Sequence, residues 1–203
     1  MPIMQVHYSE ATLDHARKAA LAQRLTDVQI AMEGGANTPG GRAFAWVVFL
    51  PIRQGDWWVG GRPDDAPMAG SGRFLIRVTI PEGYMDVTRK KVVHAAVNAA
   101  VVEAMGVGHG DPAPAIQVIL DEVTEGNWGA GGRTISLQAI ADQVGLPKDG
   151  ERFRWVRAYF DAKARQFAAA GYPAGTGGLM DGRADGSQPA TRPGAASAAR
   201  IGA

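Results

Sequence analysis

The chain has 203 residues, of which 46% are hydrophobic and 20% charged, as in an ordinary globular protein of one compact domain or two small ones. Its 21 basic and 20 acidic residues nearly balance, which argues against nucleic-acid binding, and the absence of cysteine excludes disulfides and thiol chemistry. No apolar run is long enough to span a bilayer and no signal peptide is visible, so we expect a cytoplasmic protein without a membrane partner.

The first third of the chain has the pattern of a strand, a helix and a second strand. In residues 2–8 apolar and polar side chains alternate with the period of two that is typical of a half-buried strand. Between residues 21 and 32 apolar side chains recur at helical spacing, and we expect this helix to begin near Ser9 or Thr12. Residues 43–50 are almost all apolar, which favours a strand of a parallel sheet.

The same order of elements returns in the middle of the chain. The strand that begins at Phe74 follows the strand that begins at Pro2 by 72 residues, and Gly131-Gly132 follows Gly60-Gly61 by 71. Two landmarks at nearly one offset indicate an internal repeat. The helix of the second unit is predicted to begin after Asp86, a good N-cap residue.

Two such units predict an α/β fold, in which a four-stranded sheet carries two helices on one face. We divide the chain into a first β-α-β unit (1–61), a linker (62–73), a second β-α-β unit (74–145), a C-terminal helical extension (146–170) and a disordered tail (171–203). The sheet face without helices must pack against something, and oligomerisation is the obvious solution.

Three segments resemble those of a known family: the Met-Pro start with the strand behind it, Pro81-Glu82-Gly83, and the glycine-rich hairpin over residues 125–132. Over roughly residues 2–145 the chain resembles the tautomerase superfamily, and within it the 4-oxalocrotonate tautomerases in which two units are fused. The resemblance implies a homotrimer with pseudo-sixfold packing. It also implies that removal of the initiator Met frees the amine of Pro2. The sequence shows no metal-ligand spacing, and we expect no cofactor.

Pro2 is the candidate catalytic residue. An α-amine has a pKa of roughly 7.7–8.0, which burial and nearby cations lower, so a buried prolyl amine can act as a base near pH 7. The family's aromatic hairpin position is held by Trp57 and Trp128, which we expect to line the pocket, with ordinary hairpin packing as the alternative. Phe74 stands at the proline position of the second unit. If Met1 is retained, Pro2 is only a strand-edge residue.

The arginines that bind the substrate carboxylate in the family are missing from their positions. Those positions hold Thr12, Trp46, Tyr84 and Gln117. We therefore nominate replacements that flank or lie on strands: Arg77, Arg42 and Arg133. Arg is suited to bidentate carboxylate binding, although an arginine in such a position, taken alone, is more often a solvated surface residue.

The sequence thus predicts a Pro2-dependent isomerase that moves a proton between carbon and oxygen of a small 2-oxo or 2-hydroxy-enoic acid. One alternative is a lyase of the same fold that adds water or releases carbon dioxide or halide. Related cis-3-chloroacrylic acid dehalogenases carry a histidine at the position of Gln29 and arginines near Pro81 and Tyr84, a pattern absent here. A second alternative is a scaffold trimer with a vestigial site.

Overall fold

The computed structural model describes residues 2–34, 37, 39–63, 72–107 and 114–180. A 3₁₀ turn over Glu10–Thr12 joins the first strand to the first helix. The other elements are, in chain order, β1 (Ile3–Ser9), α1 (His15–Glu33), α2 (Pro39–Ala43), β2 (Trp46–Ile52), β3 (Trp58–Val59), β4 (Arg62–Pro63), β5 (Arg73–Pro81), α3 (Val87–Met105), β6 (Ala115–Val123), β7 (Gly129–Ala130), β8 (Arg133–Thr134), α4 (Leu137–Gln143) and α5 (Glu151–Ala169).

The main sheet has four strands in the order β2-β1-β5-β6. Within each unit the two strands are parallel, and the units meet through the antiparallel pair of β1 and β5. The predicted α/β fold class, with two helices on one face of a four-stranded sheet, is confirmed. Because the units meet antiparallel, the start of β1 lies at the same edge of the sheet as the ends of β5 and β6.

Alternation along the strands places the core between the sheet and its helices. Met4, Val6 and Tyr8 of β1 are at most 1% exposed, whereas the residues between them are half-buried on the other face. The same core contains Phe74, Ile76, Val78 and Ile80 of β5, Leu21 and Leu25 of α1, and Val93 and Val97 of α3. Burying each side chain of this kind contributes about 1.5–3 kcal/mol before conformational entropy is subtracted.

Helices α1 and α3 begin at aspartates. Asp86 caps α3 as predicted, since its carboxylate accepts the Arg89 N–H at 2.8 Å. The prediction that α1 begins near Ser9 or Thr12 is wrong, because Asp14 caps it through the Arg17 N–H at 2.8 Å. An aspartate three residues before a free helical N–H satisfies that donor directly.

The C-terminal region is ordered further along the chain than its composition indicates. Helix α5 buries an apolar side against the domain, and Leu179 also packs against the core. The rings of Phe167 and Tyr172 meet edge to face at 4.7 Å, and the Met180 N–H donates to Glu125 at 3.3 Å. The predicted disorder therefore differs from the structure over residues 171–180, because these local partners hold a segment with few apolar residues.

The outer parts of two predicted segments lie outside the described residues. These are residues 181–203 of the tail and residues 64–71 of the linker. At the ends of that linker, Arg62–Pro63 pairs with Trp58–Val59 as a small hairpin, and Arg73 opens β5.

The sheet face that carries no helices exposes apolar surface. Trp46 is 56%, Ile119 41% and Val48 38% exposed on it. Arg77 and Asp121 lie on the same face and form a bidentate ion pair at 2.9 and 3.0 Å.

Within the described ranges, no helix combines the length and the apolar character needed to cross a membrane.

Candidate active site

Pro2 lies directly before β1 and is buried. Its carbonyl oxygen accepts the Trp46 N–H at 3.3 Å, which fixes the start of β1 against the start of β2. Because side chains alternate along a strand, the Pro2 ring belongs to the same side as Met4, the side that the helices cover. The candidate base is therefore held between the sheet and the helical layer. We call this end of the sheet the Pro2 edge.

The strand register decides which hairpin reaches the Pro2 edge. Ile3 is opposite Thr79, so the turn that follows β5 and the hairpin that follows β6 lie at this edge. Trp128 and Arg133 belong to that hairpin. Trp57 follows β2, which runs parallel to β1, and it therefore lies at the opposite edge of the same chain. Of the two predicted wall residues, the structure brings only Trp128 to the Pro2 edge of its own chain.

The side chain of Gln29 is fully buried on α1 beside the start of the sheet. Its Nε2 donates to the Trp46 carbonyl oxygen at 2.9 Å. Among the described residues its Oε1 finds no hydrogen-bond donor. A fully buried acceptor without a partner is rare in folded proteins and asks for an explanation.

The turn after β5 is attached to α5 through Glu82. Its carboxylate accepts hydrogen bonds from Tyr159 Oη at 2.8 Å and from Lys163 Nζ at 2.6 and 2.7 Å. Burial alone would raise the pKa of Glu82, but the bonds from Lys163 and Tyr159 outweigh it and hold this pKa below its usual value. Burial and the bond to Glu82 raise the pKa of Tyr159 to about 12.

The same turn is attached to the C-terminal end of α1 through Tyr84. The Tyr84 hydroxyl donates to the Glu33 carbonyl oxygen, and the Arg152 guanidinium donates to the Met32 carbonyl oxygen. Arg152 also lies over the Tyr84 ring, 5.3 Å from its centroid. Burial raises the pKa of Tyr84, and the Arg152 cation partly offsets that increase. Arg152 thus brings a positive charge from α5 to the elements around the Pro2 edge.

A further carboxylate, Glu125, is half-buried behind the β6 hairpin. It accepts the backbone N–H groups of Leu137 at 3.1 Å and of Met180 at 3.3 Å. Burial raises the pKa of Glu125, although both hydrogen bonds oppose the increase.

Within the described parts of the chain, no group of three histidine, aspartate or glutamate side chains is placed to hold a metal ion.

The three arginines nominated from the sequence lie in different places. Arg77 is on the open sheet face, where Asp121 occupies its guanidinium. Arg42, on α2 just before β2, contacts Asp27 at 3.0 Å and the Asn37 side chain at 3.1 Å. Arg133 is exposed in the β6 hairpin. The structure therefore brings Arg42 and Arg133 towards the Pro2 edge and leaves Arg77 in mid-sheet.

The sequence reasoning did not nominate the side chains that α5 contributes. Arg152, Tyr159 and Lys163 are spaced by seven and four residues, which places them on one helical face. The spacing of these three residues can be read from the sequence, but their contacts with the turn after β5 cannot. A cavity of about 770 Å³ is lined in part by Glu82, Tyr159 and Lys163. Arg152 lines a different cavity, together with residues of α1 and α3.

Residues 75–138 match the family model described as tautomerase enzyme. No curated protein matches the sequence. Many solved structures resemble the fold, including the following three. Native fused 4-OT has 24% identity and a TM-score of 0.53, and the similarity covers 65% of this chain and 94% of that one. F6 fused 4-OT, a wild-type asymmetric trimer, has 17% identity and a TM-score of 0.52 over 65% and 94%. N1, a member of the cis-3-chloroacrylic acid dehalogenase family, has 18% identity and a TM-score of 0.51 over 82% and 96%.

Proposed function

We propose that this member of the tautomerase superfamily, which resembles the fused 4-OT proteins, is a Pro2-dependent isomerase of small 2-oxo or 2-hydroxy-enoic acids. The observation that carries the proposal is the position of Pro2, buried at the start of β1 and fixed by its bond to Trp46, in a chain with this fold. The matched tautomerase domain is the second unit, and the register brings that unit's turn and hairpin to Pro2.

The chemistry needs an amine that is free and neutral. With Met1 removed, the Pro2 nitrogen can take the proton of an enol hydroxyl and return it to carbon, so that the enol becomes the ketone and the amine is regenerated. Burial disfavours the charged form of the amine and lowers its pKa towards neutrality. The pyrrolidine ring restricts rotation about the N–Cα bond, which helps to hold the nitrogen in one orientation.

The substrate carboxylate requires a cation near this amine. We assign it to one or more arginines at the Pro2 edge, with Arg152 as the leading candidate and Arg42 and Arg133 as the others. Arg152 is half-buried, and none of its contacts described above is with a carboxylate. Arg77 would first have to leave Asp121. Trp128 provides the hydrophobic wall at this edge.

The working assembly that we propose is a homotrimer in the cytoplasm. The open sheet face exposes Trp46, Val48 and Ile119, and such apolar surface favours contact with other copies of the chain. One of the structures that this fold resembles is a trimer. Neighbouring copies would then also bring their hairpins, including Trp57, to the sites.

Ketonisation of phenylenolpyruvate and 2-hydroxymuconate by the Met1-free protein tests the proposal. We expect a measurable rate that Pro2→Ala abolishes and that Arg152→Lys lowers, mainly by raising KM. An exposed arginine of α5, Arg165, gives the matched control Arg165→Lys, which should leave the rate unchanged. Intact-mass measurement reports whether Met1 has been removed. No rate above background in Met1-free protein would reject the isomerase and leave the lyase and scaffold alternatives.

A lyase remains the second candidate because of two observations. The similarity to N1 spans 82% of this chain, more than the 65% spanned by either fused 4-OT. Glu82, with its low pKa and its bond from Tyr159, is a carboxylate that could activate water. In that reaction the Pro2 ammonium protonates the substrate while water adds to the double bond. Release of chloride from cis-3-chloroacrylate, lost in Glu82→Gln but with ketonisation retained, would favour the lyase.

A further inference from the structure

The buried carboxamide of Gln29 is one hydrogen bond away from the residue that positions Pro2. It is fully buried, and it reaches from α1 to the Trp46 carbonyl oxygen at 2.9 Å. The Trp46 N–H in turn binds the Pro2 carbonyl oxygen at 3.3 Å. The side chain of Gln29 and the backbones of Trp46 and Pro2 are therefore connected by hydrogen bonds at the start of the sheet.

The orientation of this carboxamide follows from its partner. A carbonyl oxygen only accepts hydrogen bonds, so the group of Gln29 that faces the Trp46 carbonyl must be the Nε2 donor. The other atom, Oε1, is then an acceptor, and within the described residues no donor reaches it. An acceptor left without a donor in a buried position destabilises a fold, so a donor other than those of the described residues is expected for Oε1.

Removal of Met1 creates such a donor. The tertiary amide that joins Met1 to Pro2 has no N–H, whereas the protonated free amine of Pro2 has two. We propose that Gln29 is a positioning residue whose Oε1 accepts a hydrogen bond from the protonated amine of Pro2. This inference rests on the proposed function, since it assumes the free amine. A hydrogen bond to the charged form favours that form, so Gln29 keeps the pKa of the amine from falling too far on burial.

Charged and titratable groups also lie on several of the elements that meet at the Pro2 edge. They are Glu33 on α1, Arg42 on α2, Tyr84 on the turn after β5 and Arg152 on α5. The cations of Arg42 and Arg152 favour the neutral amine, and the Glu33 carboxylate favours the protonated one. Substitutions at Gln29 leave all four groups in place, so a changed titration of Pro2 would report on the carboxamide itself.

The test is a ¹⁵N NMR titration of Pro2 in protein labelled with ¹⁵N-proline. The full chain is released from a fusion partner by a protease that leaves Pro2 as the first residue. Gln29→Met removes the acceptor, and we expect it to lower the Pro2 pKa by about 0.5–1 unit, the size of one net hydrogen bond. Gln29→Glu supplies a stronger acceptor and should raise this pKa.

Both variants lose the Nε2 bond to Trp46, so a purely structural role would move the two titrations in the same direction. Equal pKa values in both variants and the wild type, or shifts of one sign, would overturn the proposal. Gln23→Met on the exposed face of α1 is the matched control and should titrate as the wild type does. If Gln29→Met does not fold, Gln29→Glu decides alone.

The titration needs no turnover and therefore separates two failures. A Pro2 amine that responds to Gln29 in a protein without ketonisation activity would reject the proposed function and keep the hydrogen bond. Activity that depends on Pro2, together with a pKa that ignores Gln29, would reject the hydrogen bond alone. In that case a buried water molecule is the remaining partner for Oε1.

Discussion

Replacing Gly83 by alanine tests whether α5 clamps the turn beside Pro2. Gly83 has a φ of +70°, a left-handed conformation that costs an L-residue about 1–2 kcal/mol. A Cβ at this position would lie 2.3 Å from Cδ1 of Tyr159, well inside van der Waals contact. Tyr159 cannot swing away freely, because its hydroxyl is bonded to Glu82 at 2.8 Å. Overpacking of this kind costs about 1–3 kcal/mol more.

The expected loss for Gly83→Ala is therefore about 2–5 kcal/mol in the free energy of unfolding, measured by urea denaturation. Gly145→Ala is the matched control, since Gly145 has a φ of +68° and no atom within 4 Å of an added Cβ. It should lose only about 1–2 kcal/mol. In the double variant Gly83→Ala/Tyr159→Ala the aromatic ring is absent, so the overpacking should disappear. The losses in the free energy of unfolding caused by the two substitutions should therefore be non-additive.

Equal losses in Gly83→Ala and Gly145→Ala would refute the reasoning. The Tyr159 ring would then move aside at no cost, and α5 would not hold the turn rigidly. Strict additivity of Gly83→Ala and Tyr159→Ala would lead to the same conclusion. If the dependence of the free energy of unfolding on urea concentration differs between the variants, unfolding exposes different amounts of surface in them. Their stabilities would then also be compared by thermal unfolding.

Three other outcomes follow from the structure. Lys163→Met should lower the free energy of unfolding by about 1–3 kcal/mol at pH 7, because it removes the cation that pairs with Glu82. It should also flatten the loss of stability that the wild type shows as pH falls below about 4.5, since the lowered pKa of Glu82 stabilises the fold only above the unfolded pKa. Compared with the wild type, Glu125→Gln should raise the free energy of unfolding at pH 7 relative to that at pH 4, because the raised pKa of Glu125 makes its ionisation in the folded state unfavourable. An unchanged pH profile would contradict this. If the protein is the proposed trimer, Val48→Lys on the open sheet face should convert it to smaller species in sedimentation velocity. Val92→Lys, on the exposed helical face, should not.

The repeat and the sheet were predictable because both follow from local patterns. Alternation in β1 and β5 and the apolar runs of β2 and β6 specify strands, and the helices between them force parallel pairs. The sequence could not reveal that the units meet through β1 and β5. That pairing decides that Trp128, and not Trp57, shares the Pro2 edge. Both hairpins carry the same motif, so no local signal distinguishes them.

The remaining differences have tertiary causes. Residues 171–180 have the composition of a flexible segment, yet Tyr172 and Leu179 find partners on α5 and in the core. The contacts of α5 with Glu82 and Tyr84 join residues about 70–80 positions apart, and a single sequence carries no record of them. The sequence indicates only that Gln29 stands at the histidine position of the dehalogenases. Its complete burial and the lack of a donor to Oε1 among the described residues are tertiary properties.

Because the two units meet through antiparallel strands, both contribute residues to the Pro2 edge, although only the first unit begins with a proline. Phe74, at the proline position of the second unit, is 1% exposed and pairs with Tyr8 at the edge opposite Pro2. A residue inside the chain has no free amine, so the second unit could not supply a base even with proline there. What it supplies is the turn over residues 82–85 and the Trp128 hairpin at the Pro2 edge. Substitutions in the second unit should therefore impair the proposed Pro2 chemistry, although that unit has no free α-amine of its own.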